Sequence, residues 1–271
     1  MRILLYTGKG GVGKTSIAAS TGLKLSQKGY KTIVISLDTA HSLADAFDLD
    51  NELIQQSEDP VRKVNDQLFI QEIDIQRALK EYWSEVTSYL ELVLKVSGLD
   101  QIVAEEVAVF PGMEEVCALL YINQYYRQKK YDVIILDCAP TGESLRFVSI
   151  PTVLDWYIRH VFKVERQLAG VARTFVKKIA SVPLPQDNYF RNLEDLFDRI
   201  EGVDQLLLDP KVTTVRLVTN PEQMVIKETQ RAFMYFSLYG LTVDAVIINR
   251  ILPPSIDDSF FRKWKKTQQE C

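Results

Sequence analysis

YTGKGGVGKTS, Tyr6 to Ser16, places four glycines and two lysines within eleven residues, directly after a short apolar run. Ordering so many glycines is entropically costly, so the backbone there needs positive φ or the close approach of a ligand. Gly8, Gly13, Lys14 and Thr15 satisfy G-x-x-x-x-G-K-[ST], the spacing of a phosphate loop. The run before it, Arg2 to Thr7, reads as a buried first strand, and Lys14 to Lys28 as a helix stopped by Gly29. A loop so placed surrounds phosphate with main-chain N–H groups at the positive end of a helix dipole. Lys14 then reaches the β and γ phosphates, and Thr15 sets its hydroxyl on Mg²⁺.

Outward from this loop, apolar β-rich runs alternate with helical patterns, which predicts parallel βα units. Further strands are expected at Lys31 to Leu37, Leu68 to Asp74, Asp132 to Asp137, Thr213 to Thr219 and Asp244 to Asn249. A helix of about 19 residues from Pro221, closed by Gly240, supplies the last crossover. The expected fold is therefore α/β, a doubly wound and mostly parallel sheet around a phosphate loop, and the length of 271 residues allows one large domain or one and a half.

Two segments break the alternation. Leu79, Tyr82, Val86, Tyr89 or Leu90, and Val93 recur at helical spacing, and Trp83 and Leu94 widen that stripe. From Pro151 to about Ala180, Val153, Tyr157, Val161, Leu168, Val171, Phe175 and Ile179 mark one face, with Arg159, Lys163, Arg166, Arg173, Lys177 and Lys178 elsewhere. The expectation is an inserted helical subdomain formed by about 76–128 and 151–207. Core packing with a solvated basic face is the plainer reading of each helix.

Composition narrows the function classes. With 46% apolar and 25% charged residues and a formal charge of −4, the chain is of ordinary globular type, and no nucleic-acid partner is expected. No apolar run reaches a membrane span's length and no signal-peptide core precedes the glycines, so a cytoplasmic location is expected. Cys117, Cys138 and Cys271 are three, far apart and without a C-x-x-C, which indicates neither a disulfide framework nor a thiolate zinc site.

Lys9 is unusual, because the intervening side chains of such a loop are expected to point outward, and a lysine there reaches a neighbour's γ-phosphate more easily than its own. The hypothesis is a charge supplied across a two-fold dimer interface, against the alternative of a solvated loop lysine. Asp137, at the carboxyl end of an apolar strand, is the expected acid of the metal shell. Asp38, after the second strand, falls in the same crevice and is expected to serve the metal shell and to orient or activate the attacking water. Either aspartate read alone is also a helix cap. Asp45 and His41 carry less weight, His41 equally suiting a role in fixing loop shape. The segment CAPTGESLRF, Cys138 to Phe147, combines proline, threonine and glycine as a nucleotide-sensitive loop would, with Gly142 able to bring an N–H to the γ-phosphate.

In one order the chain carries GKGGVGKTS, LDTAHSLADAFD, PGMEE (Pro111 to Glu115), DCAPTGESLRF and NPEQMVIKETQRA. In these motifs it resembles the arsenite-pump ATPases and the related ATPases that target tail-anchored membrane proteins. The resemblance covers nearly all of the chain and implies a phosphate-loop (P-loop) NTPase fold as a single ATPase domain over residues 1–271, ATP and Mg²⁺ as cofactors, a nucleotide-bound homodimer, and hydrolysis coupled to a client carried by the helical subdomain. It places Gly10, Gly11, Val12, Gly13, Lys14 and Thr15, with Ser16, on phosphate and metal and Lys9 toward the partner subunit; with Gly8 of the loop motif, these complete the expected nucleotide-binding set. It also puts Asp38 on the attacking water and Asn249 near the adenine, where an amide can pair with a purine edge; with the readings above, the expected catalytic residues are Lys9, Lys14 and Asp38, and the expected metal residues Thr15, Asp38 and Asp137.

The chain departs from the family pattern at Thr39, where many relatives have proline, and at Glu143, where they have histidine. The zinc staple of the targeting branch and the cysteine cluster of the arsenite branch are absent. Relatives usually continue through another strand and an adenine loop, so a C-terminal truncation is expected. Three functions follow: delivery of a hydrophobic client helix, an energising subunit for a membrane arsenite or anion pump, and a positioning switch. In the last, the terminal FFRKWKK, Phe260 to Lys266, would make a peripheral membrane contact.

Overall fold

The computed structural model describes residues 1–37, 42–49, 61–73, 113–157, 187–255 and 259–270. Its strands, in chain order, are β1 (Arg2–Thr7), β2 (Thr32–Ser36), β3 (Val61–Asn65), β4 (Leu68–Glu72), β5 (Val133–Asp137), β6 (Thr213–Thr219) and β7 (Val243–Ile248). The described helices are α1 (Lys14–Gln27), α2 (Ser42–Ala46), α3 (Met113–Gln128), α4 (Thr141–Tyr157), α5 (Asp187–Ile200), α6 (Val203–Leu208), α7 (Gln223–Leu238) and α8 (Arg262–Glu270).

The strands form one seven-stranded sheet in the order β3-β4-β2-β5-β1-β6-β7. Every pairing is parallel except β3 with β4. β1 lies between β5 and β6, with Tyr6 level with Asp137 on one side and Arg216 on the other. The loop after β1 thus opens at the carboxyl ends of central strands, where open α/β sheets collect ligands.

Burial explains the central strands. β2 and β5 are buried at every position, as the continuous apolar runs of a sheet covered on both faces require. α1 turns its small residues, Ala18, Ala19, Gly22 and Ser26, inward. A Cβ on Gly22 would come within 2.7 Å of Val34 Cγ2 and 3.1 Å of Leu68 Cδ1, so the helix lies too close to the sheet for a larger residue. Leu4, Tyr6, Val34, Ile135 and Val218 share this core with Leu43 and Ala44 of α2.

β3 was not anticipated. Its residues VRKVN lie at the sheet edge, half-buried except for the exposed Lys63, and Arg62 and Lys63 erase the apolar alternation by which such a strand is recognised. The hairpin to β4 turns through Asn65, whose Oδ1 accepts the Gln67 N–H at 2.9 Å. At the opposite edge Arg216 Nε meets Asp244 Oδ1 at 3.2 Å, and Arg216 Nη1 donates to the Tyr6 hydroxyl at 2.9 Å. Burial works against the Arg216 charge, but these hydrogen bonds and charges outweigh it and raise its pKa.

The chain divides into two compact units, one of residues 1–73, 125–148 and 205–271, the other of 74–124 and 149–204. The first contains the whole sheet. In the second, Asn123 Nδ2 donates to the carbonyls of Arg199 and Glu201, fastening the end of α5. The apolar stripe from Leu79 to Leu94 and most of the Pro151 to Ala180 pattern lie outside the described residues. Pro151 itself is inside α4 rather than at a helix start. A proline there removes one N–H from the ladder, a loss that a helix of 17 residues tolerates.

Candidate phosphate-binding site

Gly13 caps α1 in the left-handed conformation, φ 95° and ψ 31°, with no side-chain hydrogen bond to the helix. The first intrahelical bond among these residues runs from Ile17 N–H to the Gly13 carbonyl at 3.1 Å. The opening turn of a helix leaves N–H groups without intrahelical acceptors, and an uncapped end is suited to an anion. No acidic residue occupies this turn.

The glycines fall into two kinds. A Cβ on Gly8 would collide with the Val218 carbonyl of β6, and one on Gly13 with the Asn249 side-chain amide. Gly10 and Gly11 face open space, as a cradle for a ligand requires, and both are exposed. Val12 differs from the outward placement expected of the loop's side chains, being only 1% exposed and part of the sheet core. An apolar side chain gains by burial and here ties the loop to the domain.

Lys14 is buried, and its Nζ donates to the Lys9 carbonyl at 3.3 Å. The ammonium thus lies folded back along the loop. Lys9 and Thr15 are half-buried and Ser16 is exposed. Asp137 is fully buried at the end of β5, level with Tyr6 of β1 and Ser36 of β2. Burial pushes the Cys138 thiol well above its ordinary value, Asp137 adds to the rise, and Lys14 opposes it. β1 and β5 are paired neighbours with Tyr6 level with Asp137, so the strand-end carboxylate lies beside the strand that leads into the loop.

Asp38, Thr39 and His41 lie outside the described residues, as do Pro111 and Gly112. Ser42 begins α2, where the Ala44 N–H donates to Glu72 Oε1 at 3.1 Å. The segment read as a nucleotide-sensitive loop is helical from Thr141 onward, so Gly142 offers its N–H from the first turn of α4. Asn249 follows β7, donating its main-chain N–H to the Thr219 carbonyl at 2.7 Å and its Nδ2 to the Val12 carbonyl at 2.8 Å.

Residues that the sequence did not single out also gather here. Thr7 and Ser144 hydrogen-bond to each other, and the Oδ1 of buried Asn220 has no partner among the described residues. Asn220, after an apolar strand and before Pro221, carried the one legible signal, an amide at a strand's carboxyl end.

The residues present fit a magnesium triphosphate: uncapped helix amides, open glycines, a buried lysine, and a threonine and an aspartate of the oxygen-donor type that Mg²⁺ prefers. Comparison with known proteins agrees with this chemistry. The family described as anion-transporting ATPase matches residues 1–271. A protein of Aquifex aeolicus named as arsenical pump-driving ATPase 1 is 52% identical, aligned with 100% of this chain and 69% of its own. One of Prosthecochloris vibrioformis, named as an arsenical pump-driving ATPase, is 39% identical over 100% of this chain and 66% of its own. The Arabidopsis thaliana ATPase GET3B is 31% identical over 97% of this chain and 67% of its own. The chain thus spans about two thirds of the length of these relatives. With its parallel sheet, its loop between β1 and α1 and a family match along its whole length, the chain belongs to the anion-transporting ATPase family.

Proposed function

We propose that the chain binds MgATP at Gly8 to Ser16 and hydrolyses the β–γ bond as one half of a homodimer, coupling turnover to delivery of a hydrophobic membrane-protein segment. The observation that carries this reading is the uncapped, left-handed Gly13 at the mouth of α1 beside the buried Lys14.

In this reading the first N–H groups of α1 and the Lys14 ammonium hold the β and γ phosphates. Thr15 and Asp137 hold Mg²⁺, which neutralises charge on the phosphate oxygens when bound. Lys9 of the partner subunit adds positive charge where the transition state gathers negative charge. Asp38 orients the water. α4 follows Asp137 by a short link and couples the site to the helical segments that carry the client.

Purified chain with MgATP tests the enzyme: turnover lost in Lys14→Ala, with the fold retained, supports it, and equal turnover in the variant contradicts it. A hydrophobic helical peptide captured in the ATP-bound state and released on hydrolysis supports delivery; capture independent of nucleotide contradicts it.

A second reading, the energising subunit of an arsenite or anion efflux pump, is favoured by the names of two relatives, 52% and 39% identical. Against it, Cys117 and Cys138 are both buried, so neither thiol is offered to a metalloid. Arsenite stimulation of turnover decides between the two.

A further inference from the structure

Asn249 holds the phosphate loop by its backbone. Its Nδ2 donates to the Val12 carbonyl at 2.8 Å across 237 positions of chain, and it occupies the space that a Cβ on Gly13 would need. Its own main chain is fixed, since its N–H donates to the Thr219 carbonyl at 2.7 Å and continues the β6–β7 pairing beyond Ile248.

The consequence follows from the peptide unit. The bond between Val12 and Gly13 is planar and trans, so its carbonyl and its N–H point in opposite directions. An acceptor bond that holds the Val12 carbonyl toward Asn249 therefore turns the Gly13 N–H the other way. A reversed peptide would direct a carbonyl, with its negative end, where that amide now points. Val12's buried side chain fixes one side of the unit and Asn249 the other.

We infer that Asn249 is a positioning residue for phosphate: through the Val12 carbonyl it sets the orientation of the Gly13 amide, and so acts on the triphosphate without touching it. The inference rests on the phosphate-loop reading above. It is separate from any contact between Asn249 and a base, since Oδ1 remains available for that while Nδ2 serves the loop.

The test uses magnesium tripolyphosphate, which has no base or sugar, beside MgATP, with binding measured by calorimetry on the full chain. Asn249→Ala removes the donor, and Asn249→Asp keeps the shape while replacing donor with acceptor. Losing one such hydrogen bond is expected to weaken tripolyphosphate binding about tenfold in both variants. ATP should lose a similar factor. Tripolyphosphate binding that is unchanged in both variants while ATP binding falls would assign Asn249 to the base alone and overturn the inference. A wild-type chain that binds neither ligand overturns the phosphate-loop reading itself, and the inference with it.

Discussion

Thr7 Oγ1 and Ser144 Oγ lie 2.7 Å apart, joining the last residue of β1 to the first turn of α4. Ser144 uses its one hydroxyl proton on the Ala139 carbonyl, also at 2.7 Å, so Thr7 donates and Ser144 accepts. Both side chains are buried. The strand that leads into the phosphate loop and the helix that follows Asp137 are therefore linked by a directed chain of hydrogen bonds.

Removing either partner should cost stability. Ser144→Ala leaves the buried Thr7 hydroxyl without this acceptor and is expected to lower unfolding free energy by about 1–3 kcal/mol. Thr7→Val removes the donor with little change of shape. The double variant should be less destabilised than the sum of the two, because both ends of the bond are gone. Urea unfolding of the four proteins measures the coupling, and simple additivity would show that the bond contributes nothing.

Gly22→Ala sets helix propensity against packing. Alanine gains roughly 1 kcal/mol within a helix, but its methyl must enter the 2.7 Å gap to Val34 Cγ2 on a fully buried strand. Overpacking of a close-packed core costs about 1–3 kcal/mol, so net destabilisation is expected. A melting temperature that rises would mean that α1 can lift from the sheet without penalty.

Cys117 and Cys138 should resist alkylation in the folded chain, since both are buried and Cys138 is additionally held protonated by burial and by Asp137. Mass spectrometry after a maleimide pulse should find these two sites modified only once denaturant is added. Rapid native labelling of Cys138 would contradict its burial directly after β5.

The central part of the fold is legible because its signals are local. β6 coincides with the run read from Thr213 to Thr219, since an apolar stretch bounded by polar turn residues has one reading. The first and last crossover helices end close to Gly29 and Gly240, where main-chain N–H groups turn back to Ser26 and Ser237. β3 was missed because a half-exposed edge strand needs no apolar face, and the start of α4 because proline, threonine and glycine also suit a loop. At the candidate site, the loop's spacing points to Lys14 and Thr15 directly. The hold of Asn249 on Val12 was illegible, because a bond spanning 237 positions follows from strand order, which periodicity does not encode.

The central claim is a triphosphate held by one subunit's Lys14 and cleaved with the help of the other's Lys9, and mixed dimers test it directly. Lys9→Ala and Lys14→Ala chains, each inactive alone, are combined, and MgATP turnover is measured. In a mixed dimer the Lys9→Ala subunit keeps its own Lys14 and receives Lys9 from its partner, which restores one site of the pair. With random exchange, turnover should return to about a quarter of the wild-type value. A mixture as inactive as its components, although dimers form, or a Lys9→Ala chain fully active alone, would contradict it.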